Sequence, residues 1–322
     1  MSKKILTVFG ATGAQGGSVI RTVLNNPTLS QQFALRGITR NKSSAKAEAL
    51  AAKGVEIAVA DLNKPSELET ALKGSYAVFA VTNFWESMSK DTEVAQGKAI
   101  ADACVAAGVK HAVFSSLLNV TKVSGGKLTH VSHFDGKSDI AEYFESVKGK
   151  TGMLSTYFMP GFYMSNFSDT KMINSNPYVN NGTPTLTMPW DGEKTQVPLL
   201  STEVDTGTYV AGILSYPNPA ELDGKYIQAV SEWVTPNKLV SEVGTAIGKE
   251  IKFNQVPEDV FKSFLPPQTA EELTDNMVFV RDYSYYGLGS EKKQSESDKV
   301  LQPLGLKTQS LAEWAKSAKW DF

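Results

Sequence analysis

The chain contains one cysteine in 322 residues, Cys104, which excludes an intramolecular disulfide and fits a reducing compartment. Cys104 stands between Ala103 and Val105 in a helix-patterned run, so it reads as a small packed hydrophobe and not as a reactive thiol. No apolar run approaches the roughly 20 residues of a membrane-spanning helix. The start, Met-Ser-Lys-Lys followed by Ile5 to Phe9, resembles the front of a secretion signal. That run is only five residues long, contains Thr7 and stops at Gly10, so it reads as a buried strand. An excess of one charge is also missing. Lys and Arg number 32 against 34 Asp and Glu, a net charge of −2 without the basic face that direct nucleic-acid binding requires. With three histidines and no clustered cysteine or carboxylate spacing, His130 and His133 do not make a metal site. No G-x-S-x-G elbow marks a hydrolase. The expectation is a cytoplasmic protein, with access to the nucleus open to it.

What is present is an ordered alternation of strands and helices. Strands are expected at Ile5–Phe9, Phe33–Thr39, Val55–Ala60, Tyr76–Val81, Ala112–Ser115 and Leu154–Phe158. Helices are expected at Ala14–Leu24, Ala45–Ala52, from Pro65 to Gly74, at Asp91–Ala107 and at Asp135–Val147. The strands are too apolar to show a period of two, which argues for a parallel sheet covered on both faces. With right-handed crossovers this is a doubly wound α/β sheet whose binding crevice lies at the carboxyl ends of its strands. Residues 1–160 form the expected dinucleotide-binding domain. After Pro160 the texture changes, and residues 161–322 read as a smaller C-terminal α/β section. Alternation returns at Tyr226–Trp233, in a helix opening at Thr235-Pro236, and at Ile251–Val256, so parts of 190–256 are expected to rejoin the first sheet. The Ser/Lys/Glu cluster at 290–299 reads as a solvated turn or helix end.

The glycine loop Gly10-Ala11-Thr12-Gly13-Ala14-Gln15-Gly16 lies directly after the first strand and opens the first helix. Glycine lets the backbone approach a pyrophosphate, and the helix N-terminus supplies unpaired N–H groups and partial positive charge. An NAD-preferring site places a carboxylate at the end of strand two to hold the ribose 2′-hydroxyl. Here that point reads Gly37-Ile38-Thr39-Arg40-Asn41-Lys42, with no carboxylate. Arg40 can instead offer a planar fork to a 2′-phosphate and Lys42 can add charge, so the expected cofactor is NADP(H). Asp61, before Leu62 at the end of strand three, either accepts from the adenine amino group or prepares the next turn.

With these residues in hand, the chain resembles the NmrA-like family of atypical short-chain dehydrogenases, in particular its NADPH-sensor group. The likeness covers nearly the whole chain. It is carried by the glycine loop, Thr39-Arg40-Asn41, Val81-Thr82-Asn83-Phe84-Trp85-Glu86, His133-Phe134-Asp135-Gly136-Lys137 and Pro160-Gly161-Phe162-Tyr163-Met164-Ser165-Asn166. The resemblance implies that Thr82, Asn83 and Phe84 run along the ribose and nicotinamide side of the cofactor. It implies that Lys137 reaches the nicotinamide ribose, and that the loop from Gly161 to Asn166, with Phe162 and Tyr163, flanks the nicotinamide. Arg40 carries over cleanly, whereas the lysines after it, Lys42 included, do not align.

A short-chain dehydrogenase uses a tyrosine as acid/base with a lysine four residues later. Here Lys137 is preceded four residues earlier by His133, so the tyrosine is missing. Two readings follow, of which the first is preferred. In one, the chain binds NADP(H) without turnover and acts as a redox sensor or regulator through a protein partner. In the other it is an NADPH-dependent reductase of a small carbonyl or enone compound, with Lys137 as acid/base and His133 assisting or acting directly. Ser115 and Ser116, ending strand five, either polarise a carbonyl or satisfy backbone groups. Phe162-Tyr163 and Tyr283 to Tyr286 either line a substrate pocket or pack between the two sections. A cleft blocked by Phe84, Trp85 or Tyr163 would suit the sensor, and an open one the reductase.

Overall fold

The structure, a computed structural model, describes residues 2–169, 172–175 and 180–322. Six strands alternate with helices through the first half: β1 (Lys4–Val8), β2 (Phe33–Thr39), β3 (Glu56–Val59), β4 (Ser75–Ala80), β5 (His111–Ser115) and β6 (Leu154–Pro160). Then come β7 (Phe162–Tyr163), β8 (Ile173–Asn174), β9 (Thr185–Met188), β10 (Val197–Leu200), β11 (Lys225–Ala229), β12 (Glu232–Val234) and β13 (Lys252–Gln255). Seven of them form one sheet in the order β11-β6-β5-β4-β1-β2-β3, every pairing parallel. The doubly wound reading is therefore correct. The winding reverses between β1 and β4, which opens a crevice at their carboxyl ends.

Both faces of the sheet are covered, as the unbroken apolar strands require. On one face Leu6, Val8, Val19, Ile20, Tyr209 and Ile213 pack together, and on the other Phe9, Val78, Ile100, Phe114, Ile140 and Phe144. Cys104 is buried in the second of these cores, and burial pushes its thiol pKa up, so it is a packed hydrophobe as read. A third core, containing Trp190, Met277 and Phe279, lies in the C-terminal section around two small sheets, β12-β10-β7 and β13-β9-β8.

Several expectations are corrected. The run read as one strand at Tyr226–Trp233 is two strands: β11 joins the main sheet and β12 pairs antiparallel with β10. Of the parts of 190–256 expected to rejoin the main sheet, Lys225–Ala229 does so, whereas Lys252–Gln255 pairs with β9. The segment 290–299 is more than a solvated turn: the Ser297 hydroxyl accepts from the Gln228 amide at 3.0 Å and Gln294 donates to the Gln228 carbonyl at 3.1 Å. It thereby satisfies the outer edge of β11, an edge that would otherwise offer unpaired backbone groups. The helix expected from Asp135 begins at Ser132 and runs to Lys148. The helix expected from Pro65 to Gly74 ends three residues earlier, at Ala71, and the other strands and helices of the first half match expectation to within two residues at their ends, as β1 does in ending at Val8.

The helix Thr202–Leu214 returns from the C-terminal half to pack on Ala14–Asn25, and glycine makes that approach possible. A Cβ on Gly207 would lie 2.2 Å from Thr22 Oγ1 and 2.4 Å from the Ser18 carbonyl. Gly207→Ala should therefore lower stability by about 1–3 kcal/mol, read as a lower unfolding midpoint. Gly149→Ala, where the added Cβ meets nothing within 4 Å, should leave it unchanged.

Two buried titratable groups act in opposite directions. Burial pushes the His111 pKa down to about 4, against the charge of Asp223, and its Nε2 lies 2.9 Å from Thr156 Oγ1. Burial pushes Asp205 up to about 6, against hydrogen bonds from Ser231 and the Gln309 amide. The His111 contribution is complete above its unfolded pKa of 6.5 and is lost as pH falls towards 4. The Asp205 contribution is complete below its unfolded pKa of 3.8 and is lost as pH rises towards 6. Across pH 4–6 the two offset each other. Relative to the unsubstituted protein, His111→Gln should give a stability that falls with rising pH across this window, and Asp205→Asn one that rises, by up to ~3 kcal/mol each in denaturant titrations.

Candidate functional site

A cleft of about 740 Å³ opens at the β1/β4 switch point and extends beneath the C-terminal section. The glycine loop forms its floor. Gly10 has φ +60°, a left-handed conformation that favours glycine, and a Cβ on Gly16 would lie 2.3 Å from the Gly10 carbonyl. Among the described residues no side chain caps the helix that follows at Gly13, so its first-turn N–H groups face the cleft. Gln15 reaches across to donate to the Tyr163 hydroxyl at 2.6 Å and ties the loop to the far wall. Burial pushes the Tyr163 pKa up, a tendency the Gln15 bond opposes.

Of the residues singled out from sequence, Gly10, Thr12, Gly13, Gln15, Gly16, Arg40, Asp61, Leu62, Thr82, Asn83, Phe84, His133, Lys137, Phe162, Tyr163 and Asn166 all line this one cleft. Lys42 does not, although it follows Arg40 by two residues. Neither do Ser115 and Ser116: the Ser115 hydroxyl is buried with no hydrogen-bond partner among the described residues, and that of Ser116 lies 3.3 Å from the Lys137 carbonyl. Asp61 takes the turn-forming role, since its carboxylate accepts from the Asn63 amide at 2.9 Å and from the Asn63 side chain at 3.0 Å. Those bonds, the backbone one foremost, hold its pKa below the usual carboxylate range.

The motif His133-Phe134-Asp135-Gly136-Lys137 occupies the first turns of the helix Ser132–Lys148, and each side chain has a separate task. Asp135 caps the short helix Val120–Val123, accepting from the Val120 amide at 2.6 Å and from Thr121 Oγ1 at 2.5 Å. Phe134 packs edge-on against Phe279 and Tyr285 of the C-terminal section. Gly136 lets the helix approach Glu93, whose Oε2 would lie 3.2 Å from a Cβ there. Lys137 then meets a carboxylate that sequence reading missed. Its Nζ donates to Glu93 Oε1 at 2.5 Å, to Thr82 Oγ1 at 3.0 Å and to the Thr82 carbonyl at 3.2 Å. Glu93 is fully buried, and Thr82 Oγ1 adds a bond to it at 2.7 Å. A signal was present: Glu93, Gly97, Ile100, Ala101 and Cys104 fall on one buried stripe of the helix Lys90–Ala106, and a carboxylate on such a stripe needs a cation.

His133 is held from the other side. Glu272, on the helix Ala270–Tyr283, accepts from His133 Nδ1, from the His133 amide at 2.9 Å and from the Ser132 amide at 3.1 Å. The imidazole also packs against Trp85 and Phe84, with centroids 5.0 and 5.9 Å away. A carboxylate on Nδ1 places a proton there and leaves Nε2 as the ring's remaining polar atom. His130 is paired separately with Asp275 at 2.9 Å, and among the described residues no three candidate metal ligands gather. A second depression of about 780 Å³, lined in part by Glu258, Lys262, Glu271 and Arg281, lies elsewhere. Both of its cations are already paired within the chain, Arg281 to Glu258 and Lys262 to Glu271.

The NmrA-like family model matches residues 2–315. The chain belongs to the NmrA-like family. It is 30% identical over 304 residues to the NmrA-like family domain-containing oxidoreductase ptmS of Penicillium ochrochloron, covering 90% of this chain and 84% of that one. A crystal structure of NmrA, a negative transcriptional regulator, in complex with NADP superposes with a TM-score of 0.77 at 23% identity, covering 98% of this chain and 95% of that one. The NADPH-dependent quinone oxidoreductase QOR2 of Escherichia coli, solved with NADPH, gives a TM-score of 0.70 at 22% identity, covering 97% and 99%. These structural likenesses bear on the fold. Among the described residues no helix is long and apolar enough to cross a membrane.

The buried pair yields a stability test. Glu93→Ala should cost about 3–5 kcal/mol by leaving the Lys137 ammonium without its counter-charge. Adding Lys137→Met to Glu93→Leu should recover most of that loss in denaturant titrations, because both charges are then gone. A double variant no more stable than Glu93→Ala would mean that the helix contact, and not the charge pair, carries the effect.

Proposed function

We propose that this protein binds NADP(H) in the cleft and reduces a small apolar carbonyl or enone compound. The observation that carries the reading is the continuity of the cleft. From the Arg40 corner it runs over the glycine loop, past Lys137 and His133, into an aromatic and apolar compartment of Phe134, Phe162, Leu273, Met277 and Tyr285. Trp85, 46% exposed, stands at the rim of that passage, and the Gln15–Tyr163 bond crosses it. The residues fit a dinucleotide: an uncapped helix N-terminus behind a glycine cradle for the pyrophosphate, and a guanidinium at the end of β2 for a 2′-phosphate. The ptmS relative carries the name oxidoreductase, and the NmrA and QOR2 structures were solved with NADP and NADPH.

When bound, the cofactor supplies a hydride for the substrate carbon. The chain has to supply a proton for the substrate oxygen, and the two candidate donors differ in their freedom. All three hydrogens of the Lys137 ammonium have acceptors in Thr82 and Glu93, so Lys137 holds the ribose side of the cleft in place. His133, protonated on both nitrogens, would donate from Nε2 to the oxygen while its Nδ1–H keeps donating to the Glu272 carboxylate. The aromatic neighbours Phe84, Trp85 and Phe134 restrict water around that ring.

The saturated ammonium favours a second reading, in which the chain reports NADP(H) occupancy to a protein partner without turnover. NADPH oxidation at 340 nm over a panel of quinones, enones, aldehydes and ketones separates the two. Turnover is expected for the unsubstituted protein. His133→Ala should lower kcat by about 10²–10⁴ while NADPH affinity stays within about twofold. Tight NADPH binding with no turnover across the panel would overturn the reductase in favour of the sensor.

A further inference from the structure

Arg40 is not free to meet a ligand. Its guanidinium is ion-paired with Glu86, and the two side chains are 65% and 51% exposed at the rim of the cleft. The carboxylate that β2 lacks is thus supplied to the same corner by a different element, the helical turn Phe84–Ser87 after β4. A second carboxylate, Asp61, is near enough for the Arg40 charge to lower its pKa.

The charges at this corner decide what it can accept. Among the lining residues Arg40 contributes one positive charge and Glu86 and Asp61 two negative ones; Lys42 and Lys64 lie outside the lining, and Lys64, which also acts on Asp61, is paired with Glu67. A 2′-phosphate brought to the resting corner therefore meets an acidic site whose guanidinium is occupied. Asp61 cannot yield, because its carboxylate forms the turn with Asn63. Glu86 can. Among the described residues Arg40 is its one ion-pair partner, its turn is four residues long and it ends at Met88 with φ +51°.

We infer that Glu86 is a specificity-determining residue: it competes with the cofactor's 2′-phosphate for Arg40 and so sets how far NADP(H) is preferred over NAD(H). The inference rests on the NADP(H) reading above and adds an opposing group to it. NADP(H) must displace Glu86 before the fork can close on phosphate, and then holds two anions near each other across the rim. NAD(H) carries a hydroxyl at that position and leaves the ion pair intact. Removing the Glu86 charge therefore frees Arg40 for one cofactor and changes nothing for the other.

The test is calorimetric titration of the full chain with NADP⁺, NAD⁺ and two fragments, 2′,5′-ADP and 5′-AMP, which isolate the corner from the nicotinamide. Glu86→Gln should tighten NADP⁺ and 2′,5′-ADP by about three- to tenfold and leave NAD⁺ and 5′-AMP within about twofold. Most of that gain should vanish in an Arg40→Ala background. Unchanged or weakened NADP⁺ binding in Glu86→Gln, or equal tightening of both cofactors, would overturn the competition. Arg40→Ala alone separates the two levels of failure. If it weakens NADP⁺ more than NAD⁺ while Glu86→Gln has no effect, only the role of Glu86 falls. If it affects both cofactors equally, the 2′-phosphate reading of Arg40 falls and the inference goes with it.

Discussion

The contact on which the site depends is the ion pair between Lys137 and Glu93. It lies where the helices Lys90–Ala106 and Ser132–Lys148 cross, and glycine on each helix allows the approach. Gly97 sits against Ile140, whose side-chain atoms would lie 2.4 Å from an added Cβ, and Gly136 sits against Glu93. A fully buried carboxylate without a cation would be costly, so the pair fixes the register of the two helices. Thr82, just past β4, joins both partners and ties the sheet to the same point. One turn before Lys137 on the same helix stands His133, so the pair that holds the lysine also sets where the imidazole projects.

The second anchor comes from the C-terminal section. Glu272 and Asp275 stand three residues apart on one helix, and each meets a histidine together with a backbone amide of the segment 130–133. These carboxylates sit at a helix N-terminus, where negative charge is favoured. The helix Ser132–Lys148 is therefore gripped at its start by the C-terminal section and, within its first two turns, by Glu93 beneath the sheet's edge. The cleft wall between the two grips consists of Phe134, His133 and Lys137, which leaves little freedom at the place where a substrate would meet a cofactor.

How much of this the sequence shows depends on whether a feature is local. The parallel sheet is legible because strands buried on both faces must be apolar throughout, and the glycine loop because its position after β1 leaves few other uses for three glycines. Glu93 escaped notice because its partner stands 44 positions later. Only the buried stripe through Gly97 and Cys104 hinted at it. The helix start at Ser132 was missed for a similar reason: its cap is not a neighbouring serine or aspartate but Glu272, 140 residues away from Ser132. At Val230-Ser231 the strand pattern continues while the chain changes sheets, and periodicity alone does not register such a break. The segment 290–299 is polar because it serves polar backbone at the edge of β11, a task that composition does not distinguish from solvation.

The missing tyrosine can then be weighed by geometry and not by analogy. A phenol beside a lysine works in short-chain dehydrogenases because the ammonium's charge acts on it and the lysine retains hydrogens for the ribose. In this chain Glu93 cancels that charge and Thr82 takes the remaining hydrogens, so a tyrosine at position 133 would gain little from Lys137. An imidazole needs no neighbouring cation to carry a proton. It needs a carboxylate behind it to fix which nitrogen faces the cleft, and Glu272 stands there. The replacement of tyrosine by histidine and the burial of Glu93 beside Lys137 are thus two halves of one arrangement. The lysine is committed to Glu93 and Thr82, and on the proposed reading proton chemistry in the cleft would pass to His133, which the other section of the protein holds.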